Sequence, residues 1–469
     1  MDYYVAIDIG ASSGRHVAGW FEEGKIRTQE VYRFENRFEM RGGRLCWDID
    51  GLYEQVLEGL KRCKALNIIP VSIGIDTWAV DFILLDKDGL RLGESVSYRD
   101  GRTAGMDARV EQVIPFTELY RRTGIQKQPF NTIYQLMAIK TQEADLLNRA
   151  EQFLMIPDYL HYRLTGLVSN EYTNASTTAL LNVKTRDWDK DIIQALGFPL
   201  HLFKPLMNAG DKLGALSPAV CAHLGFSSTV ILPATHDTGS AFLAVPSSNK
   251  EKSVYLSSGT WSLLGIESPV PILTDEAREE NFTNEGAYQG NYRFLKNIMG
   301  LWMIQSVRNE LDKKYSFSDL ARMAQESTSS TLFDVNDPRF LAPASMLAAI
   351  QDICRETKQP LPQSIGEVMH CIYTNLARSY QKALKEIQRI SGHKFCTLNI
   401  VGGGSKDDYL NELTAQAAGL PLSIGPVEAT VIGNLCAQML SQGVFSDLDT
   451  VRQVIAHSFA VRHLPKAVR

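Results

Sequence analysis

The stretch Pro233-Ala-Thr-His-Asp-Thr-Gly-Ser240 joins an imidazole, a carboxylate and hydroxyls directly after the apolar residues Val230 to Leu232. The apolar run predicts a strand, and strand ends are where ligands sit in open α/β sheets. A carboxylate placed there takes the proton of a hydroxyl group within its reach, which makes Asp237 a candidate general base beside His236 and Thr238. The same letters also spell a helix cap, with Asp237 ahead of Thr238, Gly239, Ser240 and an apolar run. The local pattern supports both readings.

A second group of residues has the chemistry to hold phosphate. In Asp8-Ile-Gly-Ala-Ser-Ser-Gly-Arg15 the small residues Gly10, Ala11 and Gly14 let backbone N–H groups come close to phosphate oxygens. Ser12 and Ser13 add hydroxyl donors and Arg15 adds a charge. Asp8, at the end of an apolar run, suits the water shell of a metal ion. A tight hairpin with no ligand explains the stretch equally well. Its counterpart Ser257-Ser258-Gly259-Thr260 presents the same small, hydroxylated turn. Two such hairpins facing each other hold one polyphosphate from both sides, with Gly402-Gly403-Gly404 as a third contact. By contrast, Gly19-Trp-Phe-Glu-Glu-Gly24-Lys25-Ile26 only imitates a phosphate loop. Ile26 lacks the hydroxyl for a metal ion, Glu22 and Glu23 repel phosphate, and no helix pattern follows.

Ile73-Gly-Ile-Asp-Thr-Trp-Ala-Val-Asp-Phe82 sets Asp76 and Asp81 around Trp78. An indole stacking on the apolar face of a sugar, with carboxylates on its hydroxyls, is one reading; a core aromatic at a strand turn is the other. Asn297 and Gln305 are eight residues apart in a segment whose pattern predicts one helix, where they share a face.

The elements that must position these residues follow from periodicity. Strands are expected at Tyr3 to Ile9, Arg15 to Glu22 and Ile26 to Phe34, then a helix through Ile49, Leu52, Val56, Leu60 and Cys63 capped by Asp48, then strands at Val71 to Asp76 and Phe82 to Asp86. The grammar restarts after the polar stretch Pro246 to Ser253, with strands at Val254 to Ser257 and Trp261 to Glu267 around a tight turn. A long helix through Ile365, Val368, Ile372, Leu376, Tyr380, Ala383 and Ile387 stops at Ser391-Gly392. The strand Thr397 to Val401 then runs through the glycines into a helix from about Asp407 to Ala418. The repeated opening predicts an internal duplication split near residue 246, with a cleft between the halves.

The bulk properties agree with an enzyme of this kind. A chain of 469 residues suggests two or three domains at ~150 residues each. With 48 Lys and Arg against 53 Asp and Glu, the net charge of −5 offers no field for a nucleic acid or an anionic membrane. No run reaches the roughly 18 apolar residues of a membrane span, and the opening MDYYVAIDIG is no secretory signal, so a cytoplasmic protein is expected. The seven cysteines contain no C-x-x-C pair, and each reads as a buried small hydrophobe.

Taken together, Ala6-Ile-Asp-Ile-Gly-Ala-Ser-Ser-Gly-Arg15, Thr235-His-Asp-Thr238, Leu256-Ser-Ser-Gly-Thr-Trp261 and Val401-Gly-Gly-Gly404 resemble the FGGY carbohydrate kinases over essentially the whole chain. The blocks Ser72 to Trp78, Tyr98 to Asp100, Met155 to Tyr159, Glu171 to Thr178 and Leu295 to Trp302 are similar to the branch of that family acting on L-rhamnulose. The resemblance implies an α/β protein of two ribonuclease-H-like domains of the actin and hexokinase type around a central cleft. Residues 1–245 would carry the sugar site, the base and the first phosphate hairpin, and 246–469 the nucleotide site and the second hairpin. It implies transfer of the γ-phosphoryl of ATP, with Mg2+, to the 1-hydroxyl of L-rhamnulose. Asp237 is then the base; Ala11, Ser12, Ser13, Gly14, Arg15, Thr260, Gln305 and Gly403 bind ATP; Ala79, His236, Thr238 and Asn297 line the sugar; Asp8 reaches the metal through water. Family members read Thr-Trp-Gly where this chain has Ala79. The protein is expected to be a monomer or a weak homo-oligomer. Two other functions are compatible: a kinase of another ketose, such as L-fuculose or D-xylulose, and an actin- or chaperone-like ATPase, whose ATP turnover would not depend on a sugar.

Overall fold

The computed structural model describes residues 1–246 and 252–466. The expected break near residue 246 adjoins residues 247–251, which lie outside the described residues, as do 467–469 of the expected terminal extension. Packing groups Met1–Ser248, Glu267–Phe294 and Ala429–Ser458 into one compact unit, and Asn249–Ile266, Leu295–Glu428 and Phe459–Arg469 into a second.

In the first unit the opening strands are Tyr3–Ile9, Ser13–Glu22 and Lys25–Glu35, each within two residues of the expected bounds. The second and third turn at Glu23-Gly24, both at positive φ, so the imitation phosphate loop is a hairpin. Beside them run Pro70–Thr77, Thr229–Ile231 and Lys212–Ala215, completing a six-stranded sheet. Tyr3–Ile9, Pro70–Thr77 and Thr229–Ile231 are mutually parallel. Their carboxyl ends therefore lie on one edge, and the residues that follow them meet there. His16 and Gly19, of opposite parity on one strand, face different helices. The His16 ring packs on Gly59 of the helix Ile49–Ala65, and Gly19 on Leu435 of the helix Ala429–Ser441. Asp48 caps the first of these helices by accepting from Gly51 N. A further apolar core in this unit gathers Ile133, Leu136, Phe153, Leu180 and Ile193.

The second unit opens in the same way. Ser253–Ser258 pairs antiparallel with Trp261–Ser268 and parallel with Thr397–Val401, just as Tyr3–Ile9 pairs with Ser13–Glu22 and Pro70–Thr77. Leu422–Ile424 and Arg462–Leu464 extend the sheet. The helix Ile365–Ser391 starts at the Ser364 cap and ends at Gly392, whose φ of +70° a side chain would resist. Tyr380 on this helix meets Ser262 of the sheet through their hydroxyls at 2.7 Å. Among the described residues, no helix is long and apolar enough to cross a membrane. All seven cysteines are free; five are buried as expected, whereas Cys221 is half-buried and Cys396 exposed.

Candidate active site

Two parallel strand ends and one helix start bring the carboxylates of the first unit together. Asp8 and Asp76 are paired in register on Tyr3–Ile9 and Pro70–Thr77. The next residue, Thr77, bridges to His236, and Thr77 N donates to Thr235 O at 2.9 Å. Asp237 then opens the helix Asp237–Leu243 as its first residue, with His236 in the cap position. Placement at a helix start and availability as a base are thus compatible, because the Asp237 carboxylate does not cap the helix in the usual way. Its Oδ1 accepts from Thr238 N at 2.5 Å and Thr238 Oγ1 at 3.0 Å, and the side chain keeps 33% exposure. Burial pushes the Asp237 carboxyl above its usual range, and the charge of Asp8 adds to this. Asp76 is fully buried and is held well above the usual range by burial and by Asp8 and Asp237, despite Asn434 Nδ2 donating to its Oδ2 at 2.6 Å.

The first hairpin turns at Gly10-Ala11-Ser12. Gly10 N donates to Ser13 O at 2.9 Å, and Asn36 secures the turn by donating from Nδ2 to Gly10 O and from its backbone to Ser12 O. Ala11 and Ser13 are half-buried and Ser12 is exposed. Gly14 is small for a local reason as well, since a Cβ there would strike the Phe34 ring at 2.1 Å. Arg15 donates from Nε and Nη2 to Asp8 Oδ2 at 3.1 and 2.8 Å, so its charge is balanced by the carboxylate expected near the metal.

The Trp78 segment resolves toward the core. Asp81 accepts from Trp47 Nε1, Trp78 Nε1, Gln135 Nε2 and Tyr98 N, and Trp78 is 6% exposed with its ring 4.3 Å from that of Trp47. Of the two readings the sequence leaves open for this indole, its burial against Trp47 favours the core aromatic. Ala79 remains half-buried beside Val80, whose φ of +67° is unusual for a β-branched residue.

In the second unit Thr260 occupies the turn Gly259-Thr260, and the glycine run packs on the same hairpin. A Cβ on Gly402 would lie 2.8 Å from Ser258 O and one on Gly404 2.0 Å from Ser258 Oγ, while at Gly403 nothing lies within 4 Å. Gly403 is the exposed member of the run. The single helix expected for Asn297 and Gln305 is also corrected: Asn297 is on the strand Tyr292–Met299 and Gln305 on the helix Trp302–Glu310. Gly300 sits at the break, where a Cβ would strike the backbone of Gly259, Thr260 and Trp261, and the next two residues donate from Leu301 N to Gly259 O and from Trp302 N to Thr260 O. Asn297 Oδ1 is buried and makes no hydrogen bond among the described residues.

Three participants have no chemical role assigned to them from the sequence, although Glu171 opens one of the family-like blocks. Glu171 accepts from Thr173 N and Oγ1 at 2.9 and 2.5 Å and from Thr235 N and Oγ1 at 3.0 and 2.8 Å, clamping the residue before His236. Glu285 and Arg293 flank the His236 ring. Burial pushes the Glu285 carboxyl up, but the charge of the paired Arg293 guanidinium works against that, and the carboxyl is held below its ordinary value. Among the described residues, no group of three or more His, Cys, Asp or Glu is arranged to hold a metal ion alone.

The first unit thus has a parallel-strand edge lined with carboxylates, and each unit has a hairpin of small hydroxylated residues. The chain belongs to the FGGY family of carbohydrate kinases, whose N-terminal domain matches residues 3–244 and whose C-terminal domain matches residues 254–441. A rhamnulokinase of Halalkalibacterium halodurans is 48% identical over the full length of both chains. One of Oceanobacillus iheyensis is 48% identical over 97% of this chain and 96% of its own, and one of Bacillus subtilis 44% over 98% and 94%. The fold is shared with a ligand-bound xylulose kinase from Lactobacillus acidophilus (TM-score 0.81, 17% identity, 100% and 94% covered). It is shared also with a glycerol kinase with ADP from Plasmodium falciparum (TM-score 0.76, 14% identity, 98% and 94% covered).

Proposed function

We propose that this sugar kinase transfers the γ-phosphoryl group of ATP to the 1-hydroxyl of L-rhamnulose, giving L-rhamnulose 1-phosphate and ADP in rhamnose catabolism. The observation that carries the reading is the 44–48% identity to rhamnulokinases over 97% or more of this chain. The ketose specificity rests on that likeness.

In this reading Asp237 accepts the proton of the attacking hydroxyl. Phosphoryl transfer asks mainly for positioning and charge neutralisation, and the hydroxyl becomes acidic only late in the reaction, so a carboxylate suffices as base. His236, Thr238, Asn297 and Ala79 line the sugar. Ala11 to Arg15 and Thr260, Gln305 and Gly403 hold ATP. The carboxylate oxygens of the first unit suit Mg2+, which takes one or two carboxylates and completes its shell with phosphates and water. Asp8 would reach it through water. Bound to the phosphates, Mg2+ neutralises their charge. Residues 1–245 supply the base, most of the sugar contacts and the first phosphate hairpin, and residues 246–469 supply the second hairpin, the remaining nucleotide contacts and Asn297. A cytoplasmic monomer or weak homo-oligomer fits an enzyme that draws on ATP.

Coupled ADP release with L-rhamnulose, L-fuculose, D-xylulose and glycerol tests the reading. The largest kcat/KM is expected for L-rhamnulose. A larger value for another ketose reassigns the substrate, and ADP release independent of any sugar reassigns the protein to the ATPases.

A further inference from the structure

The His236 ring lies beside two charged groups to which the reaction as described gives no task. Arg293 comes from the strand Tyr292–Met299 and Glu285 from the strand Thr283–Gly286, and the two residues lie in the segment Glu267–Phe294 of the first unit. Arg293 is fully buried and Glu285 is 4% exposed. A guanidinium sealed from water needs a paired countercharge, and Glu285 Oε2 supplies one 3.2 Å from Nη2. Arg293 Nε donates to Gly286 O at 2.8 Å, which steadies the group with Nη2 at 3.0 Å from His236 Nδ1.

Chemistry sets the direction of that last bond. Arginine has five N–H donors, no acceptor, and does not release its proton in proteins, so Nδ1 must be the acceptor. A ring that accepts at Nδ1 is neutral and carries its proton on Nε2. Nε2 lies 3.5 Å from Asp237 Oδ1. Glu285 Oε2 also comes within 3.3 Å of Nδ1 but makes no hydrogen bond, so the directed contact is that of Arg293.

We propose that Arg293 is a positioning residue for the phosphoryl transfer, holding His236 as its neutral Nε2–H tautomer so that the ring presents an N–H donor to an oxygen of the ketose beside Asp237. The inference rests on the reading of His236 and Asp237 as sugar-facing. Arg293 touches no substrate and acts only through the ring, and Glu285 keeps its charge balanced. The opposite tautomer, with Nδ1–H on Glu285, would turn a lone pair toward the Asp237 carboxylate and leave no N–H to donate to the ketose oxygen.

The test has two arms. Nitrogen NMR of the full-length, substrate-free protein labelled at histidine, with His236 assigned by its loss in His236→Gln, reads the tautomer without turnover. At neutral pH Nδ1 is expected to be unprotonated and Nε2 to carry the proton. An Nδ1–H tautomer or an imidazolium overturns the proposal, whatever the substrate proves to be. In the second arm, the double variant Arg293→Met/Glu285→Gln removes the buried charge and its countercharge together. The KM for the ketose should rise about 10- to 100-fold, as for loss of an oriented hydrogen bond, with the KM for ATP within about twofold and His236 in mixed tautomers. An unchanged ketose KM in the folded double variant, or a parallel rise in both KM values, overturns the proposal. If the double variant does not fold, the wild-type spectrum alone decides. Absence of ketose turnover in the wild type removes the kinase reading and leaves the tautomer result standing.

Discussion

Asp237 combines a partly exposed carboxylate with a rigid mount at the head of a helix, and its environment disfavours charge. Asp237→Asn keeps the shape and removes the proposed base, so kcat should fall by ~10^2 to 10^4, with nucleotide affinity little changed. Steady-state kinetics in both substrates checks this, and near-normal turnover would remove Asp237 from its role. The same residue predicts a pH limb. Only the ionised carboxylate accepts a proton, and its pKa lies above the usual value, so activity is lost as pH falls through a point above the reference ~3.9. A profile of kcat/KM that stays flat down to that reference value contradicts the raised pKa.

Elements carry the next set of consequences. Gly300 separates the strand bearing Asn297 from the helix bearing Gln305, and a Cβ there would lie 2.7 Å from Gly259 O and 2.8 Å from Thr260 O. Gly300→Ala must displace backbone rather than a side chain; at ~1–3 kcal/mol of strain, the KM for ATP should rise about tenfold, with the KM for ketose within about twofold. An unchanged ATP KM would mean that the Thr260 turn does not serve the nucleotide. On the first sheet, His16 is sealed under the helix Ile49–Ala65, with its ring paired to Val56 O at 3.0 Å, and burial depresses its pKa from 6.5 to about 4. The unfolded chain then binds a proton that the folded one refuses. Stability from this group is complete above about pH 6.5 and is lost as pH falls toward 4, by on the order of 3 kcal/mol. Urea midpoints at several pH values should show that slope, and His16→Asn should reduce it; an equal slope in the variant contradicts the assignment.

These elements also show what was legible in the sequence. The strand Tyr3–Ile9, the cap at Asp48 and the long helix ending at Gly392 are written in alternation, capping and helical spacing, which are local signals. The segment through Asn297 and Gln305 misled because an apolar run with one glycine fits a helix as well as a strand, a turn and a helix. What decides is the backbone of a hairpin some forty residues away. At Trp78 a core and a sugar-facing reading stayed open, because Trp47 and Gln135, which join it around Asp81, come from other segments. Glu171, Glu285 and Arg293 reach Thr235 and His236 from other segments, and no spacing announces them.

At the scale of the whole molecule, two units opening with the same hairpin and parallel third strand account for a chain of this length. The first unit gathers its carboxylates at one sheet edge, and the second sets Thr260 and Gly403 on turns of small residues. Family membership fixes the class of reaction, and the proposed acceptor is its most specific element. The most direct measurement is therefore the product itself. Protein incubated with ATP, Mg2+ and L-rhamnulose should yield one sugar phosphate whose phosphorus couples to the C1 protons by NMR, and Asp237→Asn should yield almost none in the same time. A phosphate on another carbon, or equal product from the variant, would contradict the account.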